Sequence, residues 1–121
     1  GLQQAIVAAH ANPDKSVCLF IGDGGFMLGG INEFNTAVRT GINLQIIVCN
    51  DSAYGAEHIQ FRDRQMSPAI SEFKWPSFAN MAKAMGGNGF TVASNEDLEL
   101  AVKLMKQQSG PNLIELKLDR F

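Results

Sequence analysis

The stretch VCLFIGDGG, residues 17–25, determines the fold predicted for this chain. Its first five residues are a continuous apolar run, which predicts a parallel β-strand covered on both faces. The glycines around Asp23 then end that strand in a loop. A helix is predicted over residues 30–39 and a second buried strand over residues 44–49. This order of strand, helix and strand predicts a right-handed parallel crossover.

The rest of the chain continues the alternation of helices and strands. We predict helices over residues 2–11, 77–85 and 94–105, strands over 89–93 and 112–118, and a short helix or ordered loop within 56–74. In the last strand Glu115 and Lys117 alternate with apolar residues, which predicts that these two side chains face water. The whole chain, 1–121, is predicted to be one α/β domain with three α/β/α layers and a mainly parallel sheet.

Composition excludes several classes of function. The 10 basic and 12 acidic residues give a net charge of −2, which excludes a broadly basic nucleic-acid binder and a polybasic membrane-binding surface. No apolar stretch approaches the roughly 20 residues of a membrane span. Cys18 and Cys49 lie in apolar runs and are predicted to be buried free thiols, which favours a reducing, cytoplasmic compartment.

Two predicted strands are followed by loops that could bind a ligand. Asp23 follows the first strand, and residues 50–55 follow the second. If the strands are neighbours, Asp23 and Asp51 face one crevice, because ligands of such sheets bind beyond the carboxyl ends of the strands. Two close carboxylates repel each other unless a cation lies between them, and oxygen ligands suit Mg²⁺. The residues therefore suggest a metal-bridged diphosphate site, with glycine amides near the phosphates.

A structural interpretation of the same residues stays open at this point. Asp23 could end the strand and cap the following turn, and residues 50–52 have ordinary turn composition. Other phosphate-binding motifs do not fit. Met27 stands where a dinucleotide fingerprint needs its third glycine, and no GxxxxGK[ST] loop occurs. A receiver domain needs paired acids after its first strand, and only Asp23 is present there.

The pair of loops resembles a known cofactor motif. Gly22-Asp23-Gly24, followed by Asn50-Asp51, is similar to the thiamine-diphosphate motif, which begins with GDG and ends with NN. Residues 22–27 and 50–55 both resemble acetolactate synthases and benzoylformate decarboxylases. The resemblance covers the whole chain and implies the thiamine-diphosphate-binding fold, as the C-terminal, diphosphate-binding domain of these enzymes.

The resemblance also implies roles for individual residues. The implied Mg²⁺ ligands are the Asp23 and Asp51 side chains and the Ala53 carbonyl. Asp51 stands where the family has asparagine. Relative to the family, one residue is inserted near Gly29-Gly30, which leaves Asn50 as a rival ligand; we prefer Asp51, with Asn50 holding the loop by hydrogen bonds. The residues implied to bind the cofactor are Gly22, Asp23, Gly24, Gly25, Phe26, Asn50, Asp51, Ala53, Tyr54 and Gly55, with the amides of Gly24, Gly25 and Phe26 at the diphosphate.

One candidate catalytic residue follows the motif. Relatives place residues near the cofactor or substrate at the positions of Glu57 and His58. His58 is a candidate proton donor or substrate contact, because histidine titrates near neutrality. The favoured alternative is that His58 is an exposed polar residue at a helix start. Tyr54 either lines the cofactor or packs the loop.

The implied function is carbanion chemistry on a 2-oxo acid, by a decarboxylase or an acetolactate-synthase-like carboligase that uses thiamine diphosphate and Mg²⁺. In the family a catalytic glutamate comes from the pyrimidine-binding domain of a neighbouring chain. We therefore expect the chain to be part of a longer, homo-oligomeric enzyme and to be inactive alone. Two alternatives stay open: the small subunit of a two-chain 2-oxo-acid decarboxylase, and a non-catalytic phosphate-binding module.

Overall fold

Helices and parallel strands alternate along the chain, as the α/β prediction requires. The computed structural model describes residues 1–120, and Phe121, the last residue of the predicted domain, lies outside the described residues. The elements are α1 (Leu2–Ala11), β1 (Val17–Gly22), α2 (Asp23–Gly29), α3 (Ile31–Thr40), β2 (Leu44–Asn50), α4 (Gly55–Asp63), a 3₁₀ turn (Ala69–Ser71), α5 (Phe78–Ala84), β3 (Asn88–Val92), α6 (Asn95–Met105) and β4 (Asn112–Lys117). The predicted α/β fold is confirmed.

The four strands form one parallel sheet in the order β1-β2-β4-β3. The last pair of the β1–β2 ladder joins Gly22 to Cys49, and that of the β2–β4 ladder joins Asn50 to Lys117. The carboxyl ends of β1 and β2 therefore lie side by side. The condition on which the shared crevice depended, that these two strands are neighbours, is confirmed.

One face of the sheet carries the main hydrophobic core. Side chains of α1, α2, α3 and α5 pack there against alternate residues of β2, namely Leu44, Ile46 and Val48. Phe26 of α2 meets Phe78 of α5 edge to face, with ring centroids 5.5 Å apart. Because both rings are fully buried, they fix the start of α2 and the start of α5 relative to each other.

The other face is only partly covered within the described residues. Ala101 of α6 packs there on Val92 and Ile114, and α6 lies mainly over β3. At the opposite edge of the sheet Cys18 is exposed and Phe20 is 70% exposed. The predictions that the first strand is covered on both faces and that Cys18 is buried are therefore wrong, since β1 is an edge strand that α6 does not reach. Cys49 is half-buried.

Two further predictions are corrected. Residues 22–25 do not form a loop: Gly22 is the extended N-cap residue and Asp23 begins α2, where the helix dipole favours an acidic side chain. Glu115 does not face water: it is 0% exposed, because β4 lies between β2 and β3 and its Glu115 face is covered by α5. Lys117 is exposed, as predicted.

No helix within residues 1–120 combines the length and the apolar character needed to cross a bilayer. For residues 56–74, between β2 and α5, the sequence predicts a short helix or an ordered loop. The structure has both, a helix at Gly55–Asp63 and an irregular stretch after it. Antiparallel backbone hydrogen bonds join that stretch to the residues that follow β2, where the candidate site lies.

Candidate functional site

An open pocket of about 340 Å³ lies where β1 and β2 end. Its walls come from the start of α2, the β2–α4 loop (residues 51–54) and the start of α4. It is lined by Gly22, Asp23, Gly24, Gly25, Cys49, Asp51, Ala53, Tyr54, Gly55, Ala56, Glu57 and Leu118. All of the predicted cofactor-binding residues except Phe26 and Asn50 therefore line one pocket.

Asp23 occupies the first turn of α2 and is only 2% exposed. Its Oδ1 accepts a 2.7 Å hydrogen bond from the Gly24 N–H, and its Oδ2 accepts a 2.8 Å bond from Nε1–H of Trp75. A carboxylate offers about four acceptor positions. Each oxygen therefore keeps acceptor capacity for a ligand in the pocket.

Gly24 lets an aromatic ring approach the start of α2. A Cβ built on Gly24 would lie 2.3 Å from Cε1 of Tyr54, a distance that real Cβ atoms do not show. The Tyr54 ring also packs edge to face on Phe73, with centroids 4.6 Å apart. Tyr54 thus packs the loop and also lines the pocket, and its contact with the cofactor stays a prediction.

Asp51 lies on the β2–α4 loop and is half-buried. Its Oδ1 accepts a 3.1 Å hydrogen bond from the Ala53 N–H. Its Oδ2 lies where a Cβ on Gly55 would come within 2.7 Å, so the glycine at the start of α4 makes room for this carboxylate. Asp51 thus reaches the same pocket as Asp23 from a different strand end.

The backbone of Ala53 points away from the neighbouring segment. Ala53 forms an isolated antiparallel bridge with Glu72, and the two bonds of this bridge are Tyr54 N–H to Ser71 O and Phe73 N–H to Ser52 O, both 2.9 Å. In this pattern the central residue directs its own N–H and C=O away from the partner strand. The Ala53 carbonyl is therefore left free of the bridge at a position that lines the pocket.

The Asn50 side chain holds the β2–α4 loop through hydrogen bonds. Its Oδ1 accepts from the Ser52 N–H at 3.0 Å and from the Ser52 hydroxyl at 3.3 Å, and its Nδ2 donates to Glu115 Oε1 at 2.9 Å. Ser52 has a positive φ of 59°, which costs free energy for a non-glycine residue and is held here by these bonds. Asn50 is buried outside the pocket lining, which favours the predicted preference for Asp51 as ligand.

Glu115 is the buried partner on which this arrangement depends. Besides Asn50, its Oε1 accepts from Lys117 Nζ at 2.6 Å, and its Oε2 accepts from the Ser77 hydroxyl at 3.1 Å and the Ala79 N–H at 3.2 Å. Burial alone raises the pKa of the Glu115 carboxyl, but the donors from Lys117, Ala79 and Asn50 outweigh it and hold the pKa below its ordinary value. Glu115 therefore joins the loop at the end of β2 to the start of α5.

Arg120 fastens the same loop from the outside. Its Nε donates to the Asp51 carbonyl at 3.3 Å, its Nη2 donates to the Ser52 carbonyl at 3.1 Å, and its Nη1 lies 3.0 Å from Glu72 Oε2. The loop that presents Asp51 is thus tied to the end of the chain and to the segment after the 3₁₀ turn.

His58 lies in α4 and is buried, so the favoured prediction of an exposed residue is wrong. Its Nδ1 is 3.4 Å from the Ser71 hydroxyl and 3.7 Å from Glu72 Oε1. Because the Ser71 hydroxyl donates to Pro68 O at 2.6 Å, it accepts from His58, which places the imidazole hydrogen on Nδ1. His58 is not among the residues lining the pocket.

Phe26 also lies apart from the pocket. Its ring is fully buried in the core, and its amide is the first in α2 that the helical pattern pairs, with the Gly22 carbonyl. The amides of the first turn, including those of Gly24 and Gly25, have no such helical partner. Gly24 and Gly25 both line the pocket, but the Gly24 N–H already donates to Asp23 Oδ1, so of these two amides the one left for a diphosphate is that of Gly25.

The donor set that faces the pocket suits Mg²⁺. It consists of the Asp23 and Asp51 carboxylates and the Ala53 carbonyl, all hard oxygen donors. Within residues 1–120 no group of three or more His, Cys, Asp or Glu side chains could hold a metal by itself. A cation here would therefore complete its shell with water or phosphate oxygens, as Mg²⁺ usually does.

Three residues of the site escaped the sequence reasoning. Trp75 contacts Asp23, 52 positions away, and Arg120 contacts Asp51, 69 positions away. No local sequence pattern predicts such contacts. Glu115 did leave a signal, since it is an acidic residue within the apolar run 113–116 of a strand that could be central. A charge at such a position needs buried partners.

Known proteins resemble the chain over its whole length. The family model described as "Thiamine pyrophosphate enzyme, C-terminal TPP binding domain" matches residues 1–116. The catabolic acetolactate synthase of Raoultella terrigena is 33% identical over 118 residues, which cover 98% of this chain and 21% of that protein. The large subunit of acetolactate synthase isozyme 1 of Escherichia coli is 32% identical over 122 residues, with the same coverage.

A solved structure agrees with these relatives. The thiamine diphosphate-dependent 4-hydroxybenzoylformate decarboxylase of Rhodococcus jostii RHA1 superposes with a TM-score of 0.87 at 30% identity, covering 100% of this chain and 23% of that one. The chain thus spans about a fifth of the length of the curated relatives it matches. It belongs to the thiamine pyrophosphate enzymes, as a C-terminal TPP-binding domain.

Proposed function

We propose that this chain holds Mg²⁺ and the diphosphate of thiamine diphosphate within an enzyme that decarboxylates or carboligates 2-oxo acids. The observation that carries the proposal is the convergence of Asp23, Asp51 and Ala53 on one pocket at the ends of adjacent parallel strands. The names of the similar proteins, acetolactate synthases and a benzoylformate-type decarboxylase, support the reaction class.

Different residues of the chain would bind the metal and the phosphate groups. Asp23 and Asp51 would each offer one carboxylate oxygen to Mg²⁺, and Ala53 would offer its carbonyl. The first-turn amide of Gly25 would donate to a phosphate oxygen at the positive end of α2, while the Gly24 N–H stays bonded to Asp23 Oδ1. Two carboxylates that share an open pocket repel each other, so a divalent cation would relieve that repulsion and bind more tightly because of it.

Thiamine diphosphate supplies, when bound, the electron sink that carbanion chemistry on 2-oxo acids requires. This chain's part is to fix the position of the cofactor's diphosphate end. A pyrimidine-binding domain or subunit that carries the catalytic glutamate would provide the other half of the site, in a homo-oligomeric enzyme. His58 receives no catalytic role in this proposal, because its ring faces Ser71 and Glu72 instead of the pocket.

The test is calorimetric titration of the complete protein with thiamine diphosphate in the presence and absence of Mg²⁺. We expect Asp23→Ala to abolish metal-dependent binding, while Asp14→Ala, an exposed aspartate after α1, leaves it unchanged. Metal-dependent binding that survives Asp23→Ala would show that another residue holds the metal. No binding by the unmodified protein at millimolar cofactor would end the proposal.

A second comparison assigns the ligand in the β2–α4 loop. Asp51→Ala should remove a ligand and lower Mg²⁺ affinity while the fold is kept, because within residues 1–120 the Asp51 side chain makes its hydrogen bond inside its own loop, with the Ala53 N–H. Asn50→Ala should destabilise the fold as well, because it breaks contacts with Glu115 and Ser52. If Asn50→Ala lowers the metal affinity more than Asp51→Ala at equal folded fraction, the two roles are reversed.

Activity separates the three classes of function that the sequence left open. If the complete protein with thiamine diphosphate and Mg²⁺ releases CO₂ from a 2-oxo acid unaided, the chain acts within a self-sufficient enzyme. Activity that needs a separately encoded glutamate-bearing subunit would identify a two-chain decarboxylase. Cofactor binding without turnover in either setting would identify a non-catalytic module.

A further inference from the structure

The single tryptophan of the chain lies directly behind one of the two pocket carboxylates. Trp75 donates from Nε1 to Asp23 Oδ2 at 2.8 Å, although it lies 52 residues further along the chain. Indole nitrogen is a donor only, so the direction of this bond is fixed. The proposed function gives Trp75 no part, and the residue is not in the pocket lining.

The indole is itself held in place by aromatic neighbours. It stacks on Phe73 with centroids 4.5 Å apart and ring planes at 18°, and it lies 6.3 Å from the fully buried Phe78. The backbone N–H of Phe73 donates to Ser52 O in the β2–α4 loop. The pair Phe73 and Trp75 therefore contacts both strand ends, one through a backbone bond and the other through Asp23.

A donor at this place has a specific consequence for a metal ligand. The terminal torsion of an aspartate is broad, so a carboxylate without fixed partners rotates between orientations. The Gly24 N–H holds Oδ1 of Asp23, and the indole N–H holds Oδ2, so the carboxylate plane is defined from both sides. Because an indole N–H has no lone pair, it can orient the carboxylate without competing for the cation.

We propose that Trp75 is a positioning residue for the metal site, and that its indole N–H fixes the orientation in which Asp23 meets Mg²⁺. The inference rests on the proposed function, since it takes Asp23 as a ligand. Outer partners of ligating carboxylates typically change metal affinity by about 10- to 100-fold when removed. We expect a loss in that range when the indole donor alone is deleted.

The experiment uses the complete protein with Mn²⁺ as the spectroscopic substitute for Mg²⁺. Free Mn²⁺ is counted by electron paramagnetic resonance at saturating thiamine diphosphate, which gives the metal affinity directly. In one variant β-(3-benzothienyl)alanine replaces Trp75, so that a sulfur stands where the N–H was and the ring is kept. Trp75→Phe is the second variant, and it retains a ring that can stack on Phe73.

Phe90→Leu serves as the control for packing. Phe90 is a half-buried aromatic residue that packs against the α6 side of the sheet, in a cluster separate from Asp23. Thermal unfolding of each variant is measured without metal or cofactor. If Trp75 acts only in packing, its variants and Phe90→Leu will show Mn²⁺ affinities that follow their thermal stabilities.

The proposal is supported if both Trp75 variants bind Mn²⁺ at least about tenfold more weakly while the benzothienyl protein keeps its melting temperature and Phe90→Leu keeps its Mn²⁺ affinity. It is overturned if the benzothienyl protein binds Mn²⁺ like the unmodified protein, and the proposed function then still stands. If the unmodified protein binds no Mn²⁺ with thiamine diphosphate, the proposed function fails and this inference fails with it.

Discussion

The two carboxylates of the pocket are held in different ways. Asp23 is nine-tenths buried or more and lies in the first turn of a helix, where its neighbours in sequence already define its backbone. Asp51 is half-buried on a loop whose next residue, Ser52, has a positive φ. The backbone that carries Asp23 is thus placed largely by local structure, with Trp75 as the distant partner of its carboxylate, whereas the loop that carries Asp51 is held by contacts from several distant parts of the chain.

The distant contacts of the Asp51 loop come from three directions. Glu115 acts through Asn50 from within the sheet, Arg120 binds the loop carbonyls from outside, and residues 71–73 pair with its backbone. Local structure forms at little entropic cost, whereas contacts between distant residues depend on the whole fold. We therefore expect substitutions at distant positions other than Trp75 to disturb the Asp51 side of the pocket before the Asp23 side.

The largest effect is expected at Glu115. Glu115→Ala should lower the free energy of unfolding of the chain by about 3 kcal/mol or more, because it leaves the buried Asn50 amide and the Ala79 N–H without their partner. Urea denaturation measures this difference. Glu99→Ala, at an exposed glutamate of α6, should change stability by no more than about 0.5 kcal/mol. Equal losses in the two variants would show that the Glu115 contacts do not stabilise the fold.

The same carboxylate should make stability depend on pH. Because the pKa of Glu115 is lower in the folded protein than its ordinary value of 4.5, its stabilising contribution is complete above that value and is lost as the pH falls through the folded pKa. The stability difference between the unmodified protein and Glu115→Gln should therefore shrink on acidification from about pH 7 to about pH 3.

The stability of the unmodified protein is compared with that of Glu115→Gln because a second carboxyl, Asp97, also titrates with an effect on stability. Hydrogen bonds from the Ala93 N–H and from Ser94 lower the pKa of the half-buried Asp97 carboxyl too, so it also makes stability fall in acid. Because Asp97 is present in both proteins, its contribution to the pH dependence cancels in the stability difference between them. A difference between them that stays constant down to the lowest pH would contradict the role of the Glu115 charge.

Alanine substitutions at Gly24 and Gly25 of α2 test whether the Tyr54 ring is held against this helix. Gly24→Ala would place a Cβ 2.3 Å from the Tyr54 ring, and we expect it to cost about 1–3 kcal/mol by overpacking. Gly25→Ala meets nothing nearer than Ile21 Cγ1 at 3.5 Å, so better helix propensity should leave it neutral or up to about 1 kcal/mol more stable.

Thermal unfolding of the metal-free proteins checks this pair. The Gly24 variant should melt lower and the Gly25 variant at the same temperature or higher. If Gly24→Ala were as stable as Gly25→Ala, the Tyr54 ring would have to move freely away from α2. Tyr54 would then contribute little to the separation between α2 and the β2–α4 loop.

The sequence was sufficient for most elements and for the loop that follows β2, because apolar runs and helical spacing are local signals. The start of α2 at Asp23 was missed, since three glycines within residues 22–25 predict a loop more strongly than a helix. The exposed face of Cys18 was missed because an apolar run does not reveal which strand becomes an edge. Trp75, which binds the Asp23 carboxylate, and Arg120, which binds the Asp51 and Ser52 carbonyls, make contacts that depend on tertiary packing alone.

The smallest effect on stability, and the most specific to the loop, is expected at Arg120. The residue is exposed, and removing its ion pair with Glu72 should cost no more than about 1 kcal/mol. Arg120→Ala nevertheless removes the guanidinium donors to the Asp51 and Ser52 carbonyls and leaves the Phe73 N–H on Ser52, so the loop amides should open more often. Hydrogen exchange should therefore speed up several-fold within the β2–α4 loop and stay unchanged at Gly24.

Arg62→Ala, at an exposed arginine of α4, is the control, and it should alter neither region. If exchange at Gly24 rises together with exchange in the loop after Arg120→Ala, the two carboxylates are not held independently. If only the loop responds, Asp51 is the adjustable half of the pocket. Metal affinity could then be varied through Arg120 without disturbing Asp23, because the contacts of Asp23 with Gly24 and Trp75 do not involve the end of the chain.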